Sequence, residues 1–311
     1  MIGPVDLAAG GDFLATSLRL AVPLAFAALG GVISERAGVF NVALEACLLG
    51  GAFGAALGAM MLGSPFAGLA AALCCAVAIG AALSLLAVRL GVNQLVAGLA
   101  LNILVLGLTS YCSRLFLGGG ANRQVAGFTP AEIPVLSELP LLGPMLFRHD
   151  LLTYALVACI ALSWWAIYRT PWGLALRAVG ENARAVDAAG IDVTLLRSLA
   201  VMLGCAVAGL GGAFLVLSHV FIFTEHMSAG KGFVALAAVI LGRWNPVGAL
   251  AACLLFGACD ALQLRLQFGR PDIPYQLFSM LPFLASLVAL VFSGKVRPPA
   301  GIGVKYVRGG K

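Results

Sequence analysis

Between Ala37 and Ser113 the chain runs for 77 residues with only two charged side chains, Glu45 and Arg89. No soluble domain can cover such a run with its own polar surface. A helix that crosses a bilayer needs about 20 predominantly apolar residues. The stretch must therefore hold several spans, and Gly63-Ser64-Pro65 and Gly91-Val92-Asn93 are its natural breaks. The rest of the 311 residues has the same character: 61% are hydrophobic, 10% are charged, and the mean hydropathy is +1.03. Soluble domains carry roughly a quarter charged residues. A soluble globule, a disordered chain and a nucleic-acid binder are all excluded on that ground. The net charge of +6 belongs to a few loops outside the membrane, where it reports orientation.

The fold class expected is all-α, a polytopic transmembrane helical bundle forming a single transmembrane domain over residues 1–311. Apolar stretches near 13–34, 42–62, 66–88, 92–117, 150–168, 198–220, 231–242, 246–264 and 275–293 predict nine spans, with ten as the alternative. The first eighteen residues hold no Lys or Arg, so the basic start of a cleavable signal is missing and the first stretch is expected to stay as a span. Basic residues concentrate in the loop 169–197 and in the tail 294–311, which places both in the cytoplasm. The N-terminus and the Gly- and Pro-containing loop 118–149 then face outward. Gly50, Gly54 and Gly58 recur at the small-xxx-small spacing that lets helices pack closely in lipid.

Residues 37–51 align without gaps to 229–243, with eight of fifteen positions identical. In a nine-span topology the two copies run in opposite directions, the relation of inverted-topology repeats that build a transport site near the bilayer midplane. The second copy has too few apolar residues to span unaided, and short Gly-flanked segments of this kind point to a translocation path.

Several chemistries are missing. There is no phosphate-binding G-x-x-x-x-G-K-[ST] loop, no G-x-S-x-G elbow and no H-E-x-x-H helix. The eight cysteines lie in or near apolar runs without a CxxC pair or a nearby histidine, so no metal site is expected and packing is their role. His149, His219 and His226 fall near span ends, where interfacial anchoring explains them.

Polar residues at membrane depth are costly and so are functional candidates. Glu45 follows Asn41 by four residues, so both are expected to project from one helical face. Asn93, Gln94 and Asn102 mark a stripe of the fourth span, and Asp260 and Gln263 sit one turn apart on the eighth. The competing structural roles are an interhelical hydrogen bond for Asn102 and a tie to a neighbouring loop for Glu45. Ser34-Glu35-Arg36 can pair internally at a helix end. Few fixed charges and several amides suit a neutral polar solute. In the basic loop, Asn182 or Glu181 can start a short helix that Gly190 ends in a left-handed cap. Glu181, Arg184 and Asp187 recur every third residue, predicting one charged face on a helix able to dock on a soluble partner.

Three stretches together carry a specific resemblance: Ser34-Glu35-Arg36-Ala37-Gly38-Val39-Phe40-Asn41-Val42-Ala43-Leu44-Glu45, the loop from Gly180-Glu181-Asn182 to Gly190-Ile191-Asp192, and Gly230-Lys231-Gly232-Phe233 through Gly242-Arg243-Trp244-Asn245-Pro246. In order and spacing they resemble the inner-membrane permease subunits of bacterial ABC importers, in the ribose and nucleoside branch, and the shorter permease of nucleoside importers in particular. The chain has Ala43 or Ala46 where that family usually has Gly.

The resemblance implies a permease of the bacterial cytoplasmic membrane that moves nucleosides by alternating access and is not itself an enzyme. It implies a second permease subunit as partner, a cytoplasmic ABC ATPase that binds ATP and Mg, and an extracytoplasmic solute-binding protein. No cofactor is expected on this chain. Gly180, Glu181, Asn182, Arg184, Asp187 and Gly190 would contact the ATPase. Asn41, Glu45, Asn93, Gln94, Asn102, Phe233, Asp260 and Gln263 are the candidates for the path. The alternatives are a permease for a sugar such as ribose and, from another class, a secondary carrier working without ATP.

Overall fold

A computed structural model describes residues 4–118, 124–129, 131–132, 148–269, 276, 278, 280–292 and 297–306. Its helices, numbered here in chain order, are α1 (Pro4–Arg36), α2 (Leu44–Leu62), α3 (Pro65–Ser84), α4 (Gln94–Phe116), α5 (Leu151–Arg169), α6 (Pro171–Glu181), α7 (Ala183–Ala188), α8 (Val193–Phe214), α9 (Lys231–Leu241), α10 (Pro246–Gly269) and α11 (Leu281–Phe292). Wider π-helical turns extend α3 to Arg89 and α8 to Val220. A two-residue antiparallel pair, β1 (Ala131–Glu132) with β2 (Arg148–His149), lies in the loop before α5. Most of the loop 118–149 and part of the tail 294–311 fall outside the described residues.

Among the described residues, seven helices are long and apolar enough to cross a membrane: those of α1 to α5, α8 and α10. They coincide with seven of the nine stretches expected from sequence. The other two are shorter than expected of spans. The 11 residues of α9 rise about 16 Å, half of a hydrocarbon core. Twelve residues make up α11, and most of residues 270–279 before it lie outside the described set.

Packing divides the spans into two shells. Buried residues make up 61%, 72% and 67% of the apolar windows of α1, α2 and α8, against 28–33% in α3, α4, α5 and α10. The inner three touch one another through glycines: a Cβ on Gly30 would strike the Gly204 carbonyl, and one on Gly51 the Gly209 backbone. Gly54 and Gly58 meet α3, where a Cβ would come within 2.8 Å of the Ala71 carbonyl and 2.7 Å of the Ala67 carbonyl. This is the use the small-residue spacing predicted. Of the cysteines, Cys47, Cys205 and Cys253 are buried, Cys74 is exposed and the other four lie between; all are free thiols.

The bundle has one strongly basic end. Arg36, Arg89, Arg169, Arg177, Arg184, Arg197, Arg243, Arg297 and Lys305 all lie on the helix ends, short helices and turns that form it. The opposite end carries the start of α1, the α2–α3 turn, the end of α4 and the segment 221–226.

Candidate functional site

After Gly38, at a φ of +82° that favours glycine, the chain turns back from the basic end into the bundle without forming helix. Backbone of this kind at membrane depth must find partners inside the protein. Amides supply them. The Gln94 Oε1 accepts from Phe40 N at 2.6 Å, and the Asn41 Oδ1 accepts from Ala43 N at 3.2 Å. The Asn41 Nδ2 donates to Ser34 Oγ at 3.1 Å and Cys205 Sγ at 3.6 Å. Reaching across from α4, Asn102 donates to the Val42 carbonyl at 3.0 Å and accepts from Ala46 N at 2.9 Å. Ala43, at the cap position of α2, has no side chain able to do this. Asn102 is eight residues into α4, so α2 begins about 12 Å inside the bundle.

A second helix begins beside it. The Glu45 Oε1 accepts from Ser228 Oγ at 2.6 Å and Gly230 N at 2.9 Å, and its Oε2 accepts from Gly232 N at 2.7 Å. A carboxylate is thus placed on the positive end of α9, with both oxygens engaged. Gly232 permits this, because a Cβ there would press on the Glu45 backbone. The segment leading into α9 is strained: Phe221, His226 and Ala229 all have positive φ, at 60°, 60° and 47°. Non-glycine residues held this way cost on the order of 1–3 kcal/mol each and cluster at functional sites.

Around Glu45 opens a cavity of about 310 Å³. Its wall is Glu45 and Leu49 from α2, Leu99, Asn102, Ile103 and Leu106 from α4, and His226, Ser228, Ala229, Gly230 and Phe233. Of the path candidates, Glu45, Asn102 and Phe233 meet here. Asn41 and Gln94 hold the loop behind it, while Asn93 caps α4 by accepting from Leu95 N and Val96 N. Asp260 and Gln263, on α10, do not line it. Asn41 and Glu45 do not share a helical face, since α2 starts only at Leu44. His226, Ser228 and Ala229 escaped sequence reasoning. Their signal was position alone, immediately before the short apolar helix. On the other side of this segment a cavity of about 200 Å³ gathers Arg19, His219 and Lys231.

At the basic end, Glu35 and Arg36 do not pair with each other as expected; both bind Trp244. The Trp244 indole donates to the Glu35 carboxylate, and Arg36 Nε donates to the Trp244 carbonyl at 2.7 Å. Arg36 also donates to Tyr168 Oη at 3.1 Å. The basic loop folds as α6 and α7. Asn182 at φ −149° and ψ 92° breaks the helix, and its Oδ1 accepts from Ala185 N at 3.2 Å. Gly190, at φ +84°, follows the short helix as expected. Glu181 ends α6, however, so it does not share one helix face with Arg184 and Asp187; the Asn182 cap separates them. Val186 is the buried pin of α7, leaving Arg184, Ala185 and Ala188 exposed.

Among the described residues no group of three or more His, Cys, Asp or Glu stands close enough to hold a metal ion. The three stretches that carry the resemblance are thus joined in space: Glu45 to Gly230 and Gly232, Glu35 and Arg36 to Trp244, and Gly180 packed on the Arg36 carbonyl.

Known proteins resemble this chain over nearly its whole length. NupQ of Bacillus subtilis, a guanosine ABC transporter permease protein, is 36% identical over 304 residues, covering 94% of this chain and 95% of NupQ. NupC of Lactococcus lactis subsp. cremoris, a nucleoside ABC transporter permease protein, is 33% identical over 309 residues, covering 95% and 96%. TsgC13 of Haloferax volcanii, a permease protein whose name specifies glucose, is 34% identical over 311 residues, covering 93% of each chain. No solved structure matches. A family model described as branched-chain amino acid transport system, permease component, matches residues 13–290, and the chain belongs to that family of permeases.

Proposed function

We propose that this chain is a membrane permease subunit of an ABC importer and that its solute is a nucleoside. The observation that carries the reading is the cavity at Glu45. Two helices running in opposite directions, α2 and α9, start side by side inside the bundle, and the Glu45 carboxylate on the wall has both oxygens bound by Ser228, Gly230 and Gly232. The wall therefore presents the polar edge of Asn102 and the face of Phe233 without a free carboxylate, which suits a neutral solute with a planar base. Its volume is at the lower end of small-molecule pockets, about 300–1,000 Å³. The names of NupQ and NupC support the same solute class.

On this reading the basic end faces the cytoplasm, α9 with the segment before it crosses as a broken span, and α11 belongs to the ninth. Gly38 and Gly230, equivalent in the sequence repeat, share a φ of +82° and +81°, which supports inverted halves. The copies differ in where helix begins, at Leu44 in one and Lys231 in the other. An ATPase carrying ATP and Mg docks on α6 and α7, a second permease completes the path, and a binding protein delivers solute to the opposite end in the bacterial inner membrane. ATP hydrolysis belongs to the partner.

Uptake of labelled guanosine into proteoliposomes holding all four components tests this. ATP-dependent uptake is expected. Competition by glucose or ribose instead of nucleosides would favour the sugar reading that TsgC13 supports, and uptake by this chain alone without ATP would make it a secondary carrier.

A further inference from the structure

Residues 299–304, after the last helix, run as a strap between two parts of the basic end. Gly301 N donates to the Gly180 carbonyl at 2.7 Å, and Gly303 N donates to the Gly38 carbonyl at 3.2 Å. Ala300 N adds a bond to Glu181 Oε2 at 3.3 Å. One side of the strap thus holds the end of α6, and the other holds the turn that leads into the loop before α2. Pro299 is buried, and Ile302 and Tyr306 pack against the core, so the strap is seated and does not merely lie on the surface.

Arg197 closes the same junction from α8. It is 3% exposed, yet its partners are carbonyls: Nε donates to Ala37 O at 3.1 Å and Nη1 to Val304 O at 3.0 Å. A buried guanidinium that donates to two backbone carbonyls is an expensive way to hold two segments together. The fork geometry of the group lets one side chain grip both at once. The Gly38 turn is crowded by it, since a Cβ there would lie 2.9 Å from Arg197 Nη2 and 3.0 Å from the Gly301 carbonyl.

From this junction an unbroken run of bonds leads to the cavity. Gly38 is followed by Phe40 and Asn41, fixed by Gln94 and Ser34, then by Val42 and Ala46, fixed by Asn102, and then by Glu45, which holds 228–232. We propose that Arg197 and the strap 299–304 are positioning elements that carry movement of α6 and α7 to the loop before α2, and so to the cavity at Glu45. The proposal rests on the importer reading. Gly180 also touches Arg36 directly, but that contact pushes in one direction only, whereas the strap and Arg197 bond both parts and can pull.

Three variants of the reconstituted complex test it: Arg197→Lys, which keeps the charge but cannot span both carbonyls, deletion of 297–311, and Gly303→Ala. The last lies at φ +76° with open space around it, so it disturbs the strap while leaving the core alone. Guanosine uptake and ATP hydrolysis stimulated by the loaded binding protein are measured together. Expected is a fall of about tenfold in solute moved per ATP in the first two, within the ~5- to 150-fold range of coupling between sites. A smaller fall in the same ratio is expected for Gly303→Ala, with subunit assembly retained.

An unchanged ratio in all three overturns the proposal. So does a parallel loss of uptake and hydrolysis, which marks a purely structural strap. Should Arg197→Lys or the deletion fail to assemble, Gly303→Ala decides. If the wild-type complex itself shows no ATP-driven uptake, the importer reading fails first and the strap's role falls with it.

Discussion

Two helices start inside the bundle at the same place and solve the same physical problem differently. The first turn of α2 is served by neutral amides, Asn41 in the loop before it and Asn102 on α4. That of α9 is served by a charge, the Glu45 carboxylate, and is approached through a segment with three residues in the left-handed region. An amide brings both a donor and an acceptor, so Asn102 ties two points of one loop and fixes it. A carboxylate only accepts, so it gathers donors from a separate segment and its grip depends on charge. The α2 start reads as the fixed half of the site and the α9 start as the half able to change.

Removing the charge is the strongest way to break this contrast. Glu45→Ala leaves a hydroxyl and two backbone N–H groups without their acceptor, at a cost of about 1–3 kcal/mol each. Loss of assembled complex or of all uptake is expected, and Glu45→Gln should recover part of it by restoring one acceptor. Normal uptake by Glu45→Ala would place the transport path elsewhere.

Next in size is Asn102→Ala, which orphans one N–H and one carbonyl and should cost roughly 2–4 kcal/mol in thermal or denaturant stability of the purified chain. Because it frees the fixed half, solute affinity should change as well. An affinity unaltered in a stably folded variant would show that the α2 start does not shape the cavity.

Phe233 is 45% exposed and faces the cavity, so its truncation leaves packing largely intact. Stacking of a base on an aromatic ring is worth about 1–3 kcal/mol. Phe233→Ala should therefore raise the KM for guanosine about tenfold at near-normal protein levels. An equal change for ribose would show that the ring does not read the base.

The smallest effect belongs to the outer tether of the strained segment. Arg114 at the end of α4 hydrogen-bonds Glu225 at 3.0 and 3.2 Å, and holds the Glu225 carboxyl below its ordinary value. A lowered folded value means that the contribution is present above the ordinary carboxylate range and is lost as pH falls through the lowered one. Both side chains are exposed, so the gain is slight. Glu225→Gln should lower the melting temperature marginally at pH 7 and leave no difference in acid. A difference that persists in acid would trace to packing.

Much of the local architecture was legible before the fold. Apolar runs broken by Gly-Ser-Pro and Gly-Val-Asn gave α2, α3 and α4 nearly to their ends, and Asn182 and Gly190 bracket α7 as their capping habits require. The short apolar stretch after Gly230 became α9. The charged stripe through Glu181 failed because a single extended residue, Asn182, separates two helices that periodicity had joined. Pairing of Glu35 with Arg36 failed because a tryptophan more than two hundred positions away offers each a better partner.

Composition and spacing by themselves determined that the chain is a membrane helical bundle with one basic end, since lipid demands long apolar helices and charge reports orientation. They also marked Glu45 and Asn102 as unusual, while Phe233 was marked only by the family resemblance. Only the tertiary structure decided which spans lie inside and which outside. In lipid both faces of a helix are apolar, so burial leaves no polar stripe to read. Tertiary structure alone also decided that Glu45 belongs to α9, that Asn102 belongs to α2, and that the strap returns to Gly38 and Gly180. Those are contacts between segments far apart in the chain, set by where unsatisfied backbone groups needed partners.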